Sequence, residues 1–107
     1  MVRDIFVFCL KGDDLEEGQM KNLRVRGKSI LLVKRAGQVY ALSNICPHMG
    51  CSMHRGILRE DLVMCPCHGW KFDIRTGRYT ENEAISLEIY PCKVEKGQIY
   101  VNLKEEE

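Results

Sequence analysis

At 107 residues the chain has the length of one domain, able to bury about 65% of its unfolded surface around a single core. Lys plus Arg number 16 and Asp plus Glu 15, a net charge of only +1 that does not point to nucleic acid, whose binders normally show a clustered basic excess. No stretch approaches the roughly 20 apolar residues of a membrane helix. Residues 1–10 carry an acid and too short an apolar run for a secretory signal, and no small-residue cleavage site follows; a soluble cytoplasmic chain without a membrane anchor is expected.

Short β-favouring runs punctuated by turn signals recur along the chain, and no long segment holds helical periodicity. The first strand is expected over residues 5–10, where alternation places Ile5, Val7 and Cys9 on one face. An acidic stretch (Asp13, Asp14, Glu16, Glu17) then runs into a basic one (Lys21, Arg24, Arg26, Lys28). Strands over 21–25 and 29–35 flank a turn at Gly27-Lys28, and Ala36-Gly37 leads into a strand over 38–43. Short strands follow over 57–59, 62–65 and 71–74, the last meeting the turn Arg75-Thr76-Gly77. Residues 87–95 and 98–103 form a final hairpin through Lys96-Gly97, ahead of a solvated tail at Lys104-Glu105-Glu106-Glu107. The fold class is all-β: an antiparallel sandwich or barrel in one domain spanning residues 1–107, with no repeat and no linker.

Two boxes of metal-binding residue types interrupt this pattern: Cys46-Pro47-His48-Met49-Gly50-Cys51 and Cys65-Pro66-Cys67-His68-Gly69-Trp70. Taken as C-x-H and C-x-x-H, they offer two thiolates and two imidazoles. That set suits a [2Fe–2S] centre in which two histidines replace two cysteines on one iron. A structural zinc site uses the same donors, but its paired ligands usually have roughly two to four residues between them. Cys46 and His48 have one. Both boxes lie on strand-to-strand connections, where a rigid sheet can present them in fixed geometry.

The boxes resemble those of the Rieske iron–sulfur proteins, and of Rieske-type ferredoxins in particular. The resemblance implies a Rieske-like sandwich or barrel, with a small cluster-binding subdomain over about 44–78 set on a larger β base. It implies one [2Fe–2S] cluster per chain, with Cys46 and Cys65 on one iron and His48 and His68 on the other. By the same resemblance Cys51 and Cys67 form a disulfide, as in high-potential members; two free thiols beside the cluster are the alternative. Such a bridge closes a loop of about 16 residues and contributes roughly 3 kcal/mol in the chain-entropy model. The high-potential pattern carries Ser and Tyr where this chain has Trp70 and Phe72. Those hydroxyls are absent here, so a potential below the cytochrome bc type is expected. Residues 80–85 contain no proline, whereas the family often covers the cluster there with a proline-rich loop; shielding on that side is open.

Around the boxes, Gly50 and Gly69 are expected to turn the backbone and aim amides at sulfur. Met49, Met53 and Trp70 are expected to pack about the cluster. His54 is read as an exposed loop residue, and Cys9 and Cys92 as small core residues. Arg55, Arg59 and Lys71 flank the boxes and offer an acidic partner a cationic face.

The implied function is one-electron transfer between a reductase and an oxygenase or other redox enzyme, by a monomer with no substrate chemistry of its own. A catalytic oxygenase subunit needs a further iron on two histidines and a carboxylate; beyond the boxes only His54 remains. A small electron-transfer subunit of a larger oxidoreductase, such as a nitrite reductase, is the nearer alternative. A zinc-stabilised interaction module is the remaining one.

Overall fold

The computed structural model describes residues 2–48 and 50–106. In chain order its strands are β1 (Val2–Arg3), β2 (Phe6–Lys11), β3 (Met20–Val25), β4 (Lys28–Arg35), β5 (Gln38–Ser43), β6 (Ile57–Arg59), β7 (Leu62–Met64), β8 (Lys71–Asp73), β9 (Arg78–Tyr79), β10 (Asn82–Ser86), β11 (Ile89–Tyr90), β12 (Cys92–Glu95), β13 (Gln98–Asn102) and β14 (Glu105–Glu106). Among the described residues the helical elements are the 3₁₀ turns Gly12–Asp14 and Met53–Arg55.

The architecture follows from β4. Ile30, Leu31, Leu32 and Val33 are consecutive apolar residues and all are fully buried. Successive side chains of a strand point to opposite faces, so this strand has a core on each side. Ile30 and Leu32 join Ala41, Tyr90, Ile99 and Val101 in one cluster. Leu31 and Val33 join Leu42, Val63, Phe72 and Ile74 in the other. The four-stranded sheet β11-β5-β4-β3 is therefore the middle layer of a sandwich. The three-stranded sheet β12-β13-β2 covers one face and the five-stranded sheet β10-β9-β8-β7-β6 the other. The pairings are antiparallel, and the sheets stack rather than close into a barrel.

The expected strands over 38–43 and 57–59 are observed, and most others shift by a residue at an end. Val25 pairs with Lys28, which makes Arg26-Gly27 the hairpin turn instead of Gly27-Lys28. The expected strand over 87–95 is broken at Pro91. Proline has no N–H to give a ladder, and the chain changes sheets there: Tyr90 pairs with Ala41, Cys92 with Val101. Residues 78–86 supply β9 and β10, which are not foreseen in the sequence; polar residues dominate there, and only Tyr79 and Ile85 pack on the core cluster. Cys9 and Cys92 are half-buried free thiols flanking β13 from opposite sides. Burial pushes the Cys92 thiol up to about 12, with a smaller contribution from Cys9.

Candidate metal centre

The first box lies between β5 and the Met53–Arg55 turn, the second between β7 and β8. Their backbones close in the same way. The Cys46 amide donates to the Cys51 carbonyl at 2.9 Å, and the Gly50 amide to the Cys46 carbonyl at 2.8 Å. In the second loop the Cys65 amide donates to the Trp70 carbonyl at 2.8 Å, and the Gly69 amide to the Cys65 carbonyl at 3.0 Å. Gly50 and Gly69 have φ of +72° and +73°, the left-handed region that side chains with a Cβ rarely enter. Both glycines thus turn the chain, and their own amides close onto the cysteine carbonyls. The shared C-P-x-x-G pattern is the trace of this likeness in the sequence, too short to stand out as a repeat.

The four proposed ligands fall into two environments. Cys46 and Cys65 are 1% and 2% exposed and belong to the core cluster that contains Phe72 and Met53. His48 and His68 are exposed, with ring centroids 4.9 Å apart. Each loop thus sends one sulfur inward and one imidazole outward. A disulfide joins Cys51 to Cys67 across the loops, with Cα atoms 6.4 Å apart. The sulfurs of Cys51, Cys65 and Cys67 lie within 4.8 Å of one another. Two of these are bonded together and cannot act as thiolate ligands, which leaves Cys65 as the donor of that trio. A mixed set of two thiolates and two imidazoles, with the other pair of cysteines consumed in a bridge, fits a histidine-ligated [2Fe–2S] centre.

The supporting residues are more specific than the sequence shows. Asn44 is fully buried just ahead of the first loop. Its Oδ1 accepts the His54 amide at 2.8 Å, and its Nδ2 lies 3.0 Å from His54 Nδ1 and 3.3 Å from Ser29 Oγ. The Asn44 carbonyl accepts the Met53 amide at 2.7 Å. His54 is therefore a half-buried partner of Asn44 rather than the exposed loop residue expected. Behind it, a Cβ on Gly56 would collide with the Met64 carbonyl, so only glycine lets the Met53–Arg55 turn lie against β7.

On the second loop, Trp70 stacks on His48 at 4.1 Å between centroids and on Tyr79 at 4.1 Å, nearly parallel in both cases. On the side where the sequence left shielding open, Tyr79 and Ile85 pack on the core cluster that contains Cys46 and Cys65. Phe72 is fully buried beneath the rings, and Met53 is fully buried in the same cluster. Met49 lies outside the described residues. A cleft of about 310 Å³ lined by His68, Trp70, Lys71, Tyr79, Thr80 and Glu81 opens beside the rings. Another of about 250 Å³, lined by Ile57, Arg59, Glu60, Leu62, Met64 and Lys71, runs along the same sheet.

Comparison with known proteins agrees with this geometry. Residues 6–91 match the family model described as the Rieske [2Fe-2S] domain. The ferredoxin component of the alkene monooxygenase system of Xanthobacter autotrophicus is 36% identical over 90 residues, covering 83% of this chain and 74% of that protein. Human apoptosis-inducing factor 3 is 39% identical over 89 residues, but the chain spans only 15% of its length. Among solved structures, the ferredoxin of carbazole 1,9a-dioxygenase from Nocardioides aromaticivorans superposes with a TM-score of 0.84 at 28% identity, covering 90% of this chain and 95% of that one. With its sandwich, paired loops and cysteine–histidine boxes, this chain belongs to the Rieske [2Fe-2S] domain family.

Proposed function

We propose that the protein is a one-electron carrier that holds a single [2Fe–2S] cluster on Cys46, Cys65, His48 and His68, and passes electrons from a reductase to an oxygenase or another redox enzyme. The observation that carries this reading is the split of the donor set, with both thiols in the core and both imidazoles at the surface. When bound, the cluster supplies a reversible one-electron couple. With two thiolates rather than four its oxidised charge is zero rather than −2, which makes reduction easier and places the potential in the range of about −150 to +300 mV.

The chain's own residues account for the rest. Buried sulfurs fix one side of the site, while exposed imidazoles bring the other to within reach of a docked partner. Trp70 and Phe72 stand where hydroxyl-bearing residues would otherwise raise the potential. Arg59 and Lys71 line the cleft beside the second loop and favour an acidic partner surface. The ferredoxin components among its relatives support assignment to an oxygenase system. Among the described residues no helix is long and apolar enough to cross a membrane. We propose a monomer working in the cytoplasm, with residues 44–78 as the cluster-binding subdomain.

Reductive titration of the isolated holoprotein should consume one electron per chain, with iron and acid-labile sulfide present in equal amounts. Zinc in place of iron, or colourless protein without sulfide, would refute the reading. Gel filtration of native extract separates the free carrier from an obligate subunit: elution at the monomer volume supports the proposal, and co-elution with a larger enzyme contradicts it.

A further inference from the structure

The ligand loops are clasped twice. One clasp is the covalent Cys51–Cys67 bridge. The other consists of rings: His48, from the first loop, lies flat on Trp70, from the second, with 8° between their planes. Trp70 is in turn flat on Tyr79, with 3° between planes. The stack rests on the fully buried Phe72, whose ring centroid is 5.6 Å from Tyr79 and 6.4 Å from Trp70. The Tyr79 hydroxyl donates to Glu81 Oε2 at 2.8 Å, and β8–β9 pairing sets Tyr79 opposite Phe72. A continuous path of packed rings therefore leads from the core to one imidazole at the surface. His68 meets His48 edge-on, at 67°, so the two imidazoles are supported differently.

We infer that Trp70, backed by Tyr79, is a positioning residue that fixes the plane of the His48 imidazole and so sets the electronic anisotropy and potential of the centre it ligates. The inference rests on the ligand assignment proposed above. An exposed histidine on a loop has free rotation about its side-chain bonds, and a flat partner restricts it to one ring plane. The residues around a metal ligand orient it and tune the metal, and a ligand left unsupported samples a spread of geometries. Tyr79 does not touch His48 and acts through Trp70.

The test is the low-temperature EPR spectrum and midpoint potential of the dithionite-reduced holoprotein in Trp70→Leu, Trp70→Phe and Tyr79→Leu variants, each normalised to iron and sulfide content. Trp70→Leu should broaden the g distribution and shift the potential. Trp70→Phe, which keeps a flat partner, should recover most of both. Tyr79→Leu should show a smaller broadening in the same sense. A Trp70→Leu spectrum and potential identical to those of the parent would overturn the inference. If Trp70→Leu does not load, Tyr79→Leu decides alone, and an unchanged spectrum there overturns it. A parent protein lacking the rhombic signal of a histidine-ligated centre would instead refute the ligand assignment, so the two failures are distinguishable.

Discussion

The first cysteine–histidine loop is held from behind by polar contacts, through Asn44, His54 and Ser29, whereas the second is held by packed rings, through Trp70, Tyr79 and Phe72. Their internal backbone hydrogen bonds are nevertheless the same. The loop conformation is thus an independent property of the C-P-x-x-G segment, and the two supports act on where the loops sit relative to each other. A buried polar network sets one position with directional bonds that are costly to leave unmade. A ring stack sets the other through area and shape, and should tolerate conservative exchange.

Substitutions break this contrast to different degrees. Gly56 holds the Met53–Arg55 turn against β7, so Gly56→Ala, whose Cβ must enter the Met64 carbonyl, should be the most damaging, at about 3 kcal/mol or more in denaturant unfolding. A loss under about 1 kcal/mol would show that the turn can withdraw from β7. Cys51→Ser and Cys67→Ser each remove the covalent clasp and should each cost roughly 3 kcal/mol. Unequal losses would mean that one sulfur has a role besides the bridge. Asn44→Ala leaves the His54 amide without its acceptor and should cost about 2 kcal/mol. Equal tolerance of Asn44→Ala and Trp70→Phe would remove the distinction between directional and shape-based support.

The smallest effect concerns acid. Asp73, at the end of β8, accepts hydrogen bonds from the Arg75 side chain at 2.9 and 3.1 Å, and these hold its carboxyl below the usual carboxylate range. A group depressed in the folded state adds stability that is fully present above its unfolded value of about 3.9 and is lost as pH falls through the folded value. Asp73→Asn should therefore flatten the acid limb of a stability–pH curve. Arg75 is more than half exposed, so the change should stay under about 1 kcal/mol. A steeper acid limb in the variant would reverse the sign of this account.

Much of the middle layer was legible because β-favouring runs between turn signals report strands directly. The strand over 29–35 was expected from its β-favouring run, whereas the burial of both its faces, at Ile30 to Val33, emerged only in the structure. The family was legible because cysteine and histidine boxes at such spacings have few other uses. What escaped depends on contacts between segments distant in sequence. Nothing local marks Asn44 as a buried pin rather than a turn residue, or His54 as its partner. Tyr79 looks like any half-exposed aromatic until β9 brings it against Trp70. Pro91 did carry a readable signal, since proline in a central run argues against an uninterrupted strand.

The proposed centre has two imidazoles sharing one iron, and nitrogen hyperfine spectroscopy on the reduced holoprotein tests that directly. Couplings from two histidine nitrogens are expected, with His48→Ala and His68→Ala each abolishing the parent signal. A reduced centre without nitrogen coupling, ligated by sulfur alone, would contradict it.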